Sequence, residues 1–117
     1  MIRTLVEKGV IVAFALTCFA GIASAQDAAR VTAGQHVYDA QKCSVCHSIA
    51  GKGAKAAPLD GVGSKLSAEE TREWIVDPIA MAKKAGSTKK PPMPKKYDKL
   101  PAADLDALVA YMQSLKQ

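Results

Sequence analysis

The sequence predicts an all-α fold of three to four helices. Three observations predict it. Leu105, Leu108, Val109, Met112 and Leu115 recur at i, i+3, i+4, i+7 and i+10, the spacing of one helix face. Thr32 with Gln35 and Ser67 with Glu70 have the form of capping boxes, which mark helix starts. No alternating apolar–polar run of strand length is present, and no internal repeat.

In chain order, the first segment is an address. Arg3 and Lys8 outweigh Glu7, residues 10–22 are almost wholly apolar, and Ala23-Ser24-Ala25 is a small-x-small site. That order predicts a secretory signal peptide over 1–25, cleaved after Ala25. The competing reading is a retained anchor, because the uncharged stretch between Lys8 and Asp27 is 18 residues long, borderline for spanning a bilayer. A lipoprotein signal is a weaker option, since Cys18 follows Thr17 inside the apolar run.

The expected domain is 26–117. The box at Thr32 opens a helix expected to run to about Lys42. Residues 48–65 are rich in Gly, Lys, Ala and Ser and read as loop. Ser67 starts a helix through Trp74 to about Val76. Asp77-Pro78 breaks it, and Pro78 at a first helical position opens one or two further turns. Residues 86–99 hold Gly86, Pro91, Pro92 and Pro94 and exclude a regular helix. The last helix follows, with Asp104 and Asp106 early in it, where negative charge suits the helix dipole.

Without residues 1–25 the composition changes. Of 117 residues 92 remain, with a net charge of +4 in place of +5. Forty are hydrophobic, but 16 of those are alanine, and the only cysteines left are Cys43 and Cys46. A domain of this size with so little large apolar material needs a disulfide, a metal or a cofactor to complete its core.

Cys43-Ser44-Val45-Cys46-His47 supplies the candidate. C-x-x-C-H is the attachment pattern of c-type haem. Two thiols spaced on one turn add across the two vinyl groups of a single haem, and the next histidine lies under the iron as proximal ligand. The alternatives are weaker. A thioredoxin-like redox pair belongs in a βαβ pattern, and a zinc site needs a second pair of ligands. One such motif implies one haem c, bound through Cys43 and Cys46, with His47 on the iron.

With these residues in hand, the chain resembles the class I, mitochondrial-type monohaem cytochromes c, in their small bacterial secreted form. The resemblance covers nearly all of 30–116. It rests on Gly34-x-x-x-Tyr38 ahead of the haem motif, Leu59-Asp60-Gly61-Val62-Gly63-Ser64, Pro92-Met93-Pro94 and Leu108-Val109-Ala110-Tyr111-Met112, in that order. It implies the cytochrome c fold, helices wrapped around one covalently bound haem. It also implies that Gly34 lets the first and last helices cross closely.

Four residues compete for the sixth iron position. Met112 lies on the apolar face of the last helix and reads as core. His36 shares a helix with the attachment motif and reads as a surface residue. Met81 follows Pro78 in an alanine-rich segment and reads as packing. Met93, held by the prolines around it, lies 46 residues beyond His47, far enough for the chain to wrap a haem. The resemblance places a distal methionine in such a loop, and Met93 is the expected ligand; the alternative is an exposed turn methionine. The resemblance further implies that a proline carbonyl accepts from the proximal histidine, for which Pro58 is the candidate. Trp74 and Tyr97 resemble haem-pocket aromatics that donate to a propionate, and read equally well as core.

Seven lysines, at 83, 84, 89, 90, 95, 96 and 99, face one acid, Asp98, in the segment around Met93. They fit an acidic redox partner, or simply a solvated loop. Nucleic acid is a poor fit, for lack of arginine and interleaved aromatics. The resemblance therefore implies a monomeric periplasmic electron carrier, not an enzyme, with no stable membrane insertion once the signal is removed. Two other expectations remain open: a haem enzyme or gas sensor with a labile distal ligand, and a dedicated cytochrome subunit of a periplasmic dehydrogenase.

Overall fold

A computed structural model describes residues 25–117. The expected signal segment falls on 1–24, outside the described residues, apart from Ala25. No helix among the described residues is long and apolar enough to cross a membrane.

The first helix, α1, covers 25–40. It begins well before the Thr32 box, which is a correction to the sequence reading. Thr32 lies inside the helix, and its hydroxyl donates back to the Ala28 carbonyl at 3.1 Å. A threonine hydroxyl satisfied by the preceding turn no longer competes for a cap. The helix ends close to the expected Lys42, which turns into the left-handed region at φ 56°. That reversal starts the 3-10 turn Cys43–Val45.

Three very short strands follow: β1 (His47–Ile49), β2 (Lys52–Gly53) and β3 (Ala57–Pro58). Their order is β2-β1-β3, with β2 antiparallel and β3 parallel to β1. The parallel register sets His47 opposite Ala57 and Ser48 opposite Pro58. None of them was expected. Strands of two or three residues are too short to show alternation, and their residues belong to a glycine-rich stretch.

A short helix α2 (Val62–Lys65) comes next, also within the stretch read as loop. It packs against the end of the last helix: Gly63 N donates to the Leu115 carbonyl at 2.9 Å, and Lys116 Nζ to the Gly63 carbonyl at 3.3 Å. Helix α3 (Ala68–Val76) starts on the expected box, with Glu70 N donating to Ser67 Oγ at 3.1 Å and Ser67 N to Glu70 Oε1 at 3.4 Å. Helix α4 (Pro78–Ala85) is capped by Asp77, whose Oδ1 accepts from Ala80 N at 3.3 Å. After a stretch free of α-helix and a 3-10 turn at Tyr97–Lys99, helix α5 (Ala102–Ser114) closes the fold.

The core gathers where α1, α3 and α5 meet. Its buried members are Val37, Tyr38, Ile75, Tyr97, Leu108, Val109 and Met112. Helices α1 and α5 touch backbone to side chain at Gly34, where an added Cβ would lie 2.6 Å from Tyr111 Cβ and collide with the Ala107 carbonyl. One turn on, the Tyr38 and Tyr111 rings meet edge to face, with centroids 5.7 Å apart and planes at 77°. Arg72 pairs with Asp106 across α3 and α5. Gln113 adds a second tie, its Nε2 donating to the Leu66 carbonyl and to Thr71 Oγ1, each at 3.0 Å.

Candidate haem site

The attachment motif folds as a tight reversal, and each residue leaves it in a different environment. Cys43 is half-buried, Cys46 is exposed, and neither is in a disulfide. These thiols stand for the thioether sulfurs of the haem-bound protein. Burial pushes the Cys43 thiol up to about 11. A redox pair with Cys43 as its nucleophile would need that thiol lowered, the opposite of what burial does to it. A zinc half-site fares no better: among the described residues no three His, Cys, Asp or Glu side chains gather as a metal set.

His47 opens β1, and its Nδ1 lies 2.9 Å from the Ala57 carbonyl oxygen. A carbonyl only accepts, so Nδ1 carries the proton and Nε2 keeps its lone pair for a metal. The acceptor is Ala57, not Pro58, which corrects the sequence reading. The parallel pairing explains the difference, since it is Ala57 that stands opposite His47, while Pro58 is exposed one position further on.

His47 faces a cavity that holds ≈ 710 Å³ of non-protein space, its open mouth included. Cys43, Tyr38, Leu59, Val62 and Leu66 form the wall near the attachment motif. Thr71, Trp74, Ile75, Leu108 and Met112 come from α3 and α5, and Met93 and Tyr97 from the segment between α4 and α5. The fold thus brings Cys43, His47, Trp74, Met93 and Tyr97 to one cavity. Cys46 lies beside it on the same turn, and Pro58 does not reach it. His36 is exposed and Met81 lines a different groove, beside Arg72 and Asp77, so neither competes for the iron. Met112 lines the cavity from α5 as a buried wall residue.

The lining fits a flat, largely apolar group carrying a metal. One nitrogen donor, His47, and two thioethers, Met93 and Met112, line an otherwise largely apolar space, and of the two sulfurs Met93 is the one carried on a loop segment and not on a packed helix. Residues 31–116 match the family model of Cytochrome c. The chain belongs to the cytochrome c family. Haem c is therefore its cofactor, one group bound covalently through Cys43 and Cys46, and haem-based electron transfer is its chemistry.

The domain is also similar to a Cbb3-type cytochrome c oxidase subunit CcoP of Azospirillum sp. (strain B510), at 30% identity over 91 residues. That alignment covers 78% of this chain and 30% of the relative, so the chain spans under a third of that protein's length. No solved structure matches the chain.

Sequence reasoning missed several contributors. The Ala57 carbonyl had no signature, because a backbone acceptor is chosen by register and not by residue type. Tyr38 was legible only as a helix-packing aromatic. The structure makes it a cavity wall with a buried hydroxyl that has no hydrogen-bond partner. Burial pushes that phenol up to about 12, with the neighbouring Cys43 adding to the rise. Tyr97 and Tyr111 are raised as well, chiefly by burial.

Proposed function

We propose that this cytochrome c is a soluble periplasmic carrier of single electrons, whose iron would be held by His47 Nε2 and Met93 Sδ. The observation that carries the reading is the meeting of His47 and Met93 in one apolar cavity, from segments 46 residues apart. The bound haem supplies a one-electron iron couple. His47 orients its imidazole through the bond to Ala57, which also raises its strength as a donor. Met93 offers a soft sulfur that favours the reduced metal and raises the potential. Leu59, Ile75, Leu108 and Met112 would keep water from the metal, and Trp74 and Tyr97, in the same lining, would donate to the propionates. If His47 and Met93 both hold the iron, no place is left on it for a substrate, which favours a carrier over a haem enzyme or gas sensor.

The signal-like order of residues 1–25 supports export to the periplasm. The lysines from 83 to 99 support encounter with acidic redox partners, steered by charge. The similarity to an oxidase subunit favours a second reading, a cytochrome held permanently in a larger redox complex. Gel filtration of the native protein separates the two: a carrier elutes as a monomer, a subunit with its complex. Ligation is tested by Met93→Ala, which should lose its low-spin spectrum and bind added imidazole. A variant with the unchanged wild-type spectrum would remove Met93 from the iron.

A further inference from the structure

We propose that Lys89 is a positioning residue, a latch that ties the methionine-bearing segment to the histidine-bearing one and so sets how readily Met93 leaves the iron. The proposal rests on the reading of Met93 as the distal ligand.

Lys89 Nζ donates to the Ala56 carbonyl at 3.0 Å, across 33 residues of chain. The next carbonyl, that of Ala57, accepts from His47 Nδ1 at 2.9 Å. Two successive carbonyls therefore accept one bond from His47 and one from the segment that carries Met93. Ala57 is itself fixed by its parallel register with β1, so the acceptor strand is anchored independently of the latch.

On the donor side the latch lies four residues before Met93. Pro91, Pro92 and Pro94 stiffen the intervening chain, so a restraint at 89 is transmitted to 93 and not lost in loop flexibility. Lys95 makes the other tie, with Nζ 3.7 Å from Asp77 Oδ2. Met93 thus sits between two tethers, one to the histidine side and one to the start of α4. Lys89 and Lys95 belong to the lysine-rich segment by sequence, yet they bond across the fold.

Displacing Met93 from the iron requires the 87–95 segment to move outward. While Lys89 holds Ala56, that movement also breaks a hydrogen bond to a charged donor. One exposed bond of this kind changes an opening equilibrium by roughly threefold to tenfold.

The test uses the haem-loaded oxidised protein titrated with imidazole, which competes with Met93 for the iron. Lys89→Gln should bind imidazole roughly three to ten times more tightly than wild type. Lys89→Arg keeps the charge and a donor of similar reach, and should restore affinity to within about twofold of wild type. Lys55→Gln removes one charge next to Ala56 without removing the bond, and should leave the affinity unchanged. The proposal is overturned if Lys89→Gln matches wild type, if Lys55→Gln shifts the affinity equally, or if Lys89→Gln lowers the global unfolding midpoint in proportion. A Met93→Ala protein that binds imidazole no more tightly than wild type overturns the ligand assignment instead. The latch is then judged by amide hydrogen exchange over residues 87–95, which Lys89→Gln accelerates if the latch exists and leaves unchanged if it does not.

Discussion

Gly34→Ala is a test of sign for the crossing of α1 and α5. In an exposed helix interior, Gly→Ala stabilises by about 0.8–1.0 kcal/mol. At Gly34 the added Cβ would stand 2.6 Å from Tyr111 Cβ and 2.8 Å from the Ala107 carbonyl carbon, with the Ala107 oxygen closer still. Two of these atoms are backbone, so rotamer changes cannot relieve the clash and α5 must move. Overpacking of this kind costs about 1–3 kcal/mol. Displacing α5 also disturbs Leu108 and Met112, which wall the cavity. Because the clash is with backbone, the upper half of that range applies, and set against the propensity gain it leaves a net loss of about 1–2 kcal/mol, or roughly 5–15 °C in melting temperature for a domain this size. Ala33, exposed one residue earlier, gives the propensity reference: Ala33→Gly should lose about 0.8–1.0 kcal/mol. Both are read by thermal and denaturant unfolding of haem-loaded protein, followed by far-ultraviolet circular dichroism. A Gly34→Ala protein as stable as wild type, or more so, would refute the close crossing.

Tyr38 predicts an alkaline loss of stability. Its phenol is raised to about 12 in the folded protein against the usual 10.0, so the folded state keeps a proton that the unfolded chain releases. Stability is therefore full below pH 10 and falls as pH rises from 10 through 12, by at most roughly 2–3 kcal/mol. Tyr38→Phe should flatten that decline, leaving the smaller slopes of Tyr97 and Tyr111. It should also leave neutral-pH stability unchanged or raise it by about 1 kcal/mol, because it deletes an unpartnered buried hydroxyl; a loss above ~1 kcal/mol would show that the hydroxyl has a partner in the haem-bound protein. The Cys43→Ala/Cys46→Ala protein, unable to hold haem covalently, should lack most native helix by circular dichroism, and full native helicity would contradict a core completed by haem. Electron transfer to an acidic partner should slow steeply between low and ~0.15 M salt if the lysines steer encounter, and a salt-independent rate would remove that role.

Much of the molecule was legible because its strongest signals are local. The C-x-x-C-H spacing specified the cofactor and its attachment at once. The Ser67–Glu70 box survives intact, and so do four of the five residues of the apolar series in α5, Leu115 standing just past its end, because capping and periodicity are properties of a few neighbouring residues. Features that depend on pairing across the chain were not legible. Thr32 had the form of a cap and became an interior residue once the helix continued N-terminal to it. The three strands are ladder segments around His47, created by tertiary placement and not by strand propensity. The choice between the Ala57 and Pro58 carbonyls is a one-residue question of register, which residue identities do not answer. Lys89 was one of seven similar lysines until its partner 33 residues away was seen.

The central claim is that the chain occupies both axial positions of its iron, with His47 on one side and Met93 on the other. It is tested most directly by the optical spectrum of the reduced, haem-loaded protein before and after carbon monoxide is added at neutral pH. The account predicts a six-coordinate low-spin spectrum that carbon monoxide leaves unchanged. Stoichiometric formation of a carbon monoxide adduct would contradict it, showing an iron open to exogenous ligands and a protein built for something other than carrying electrons.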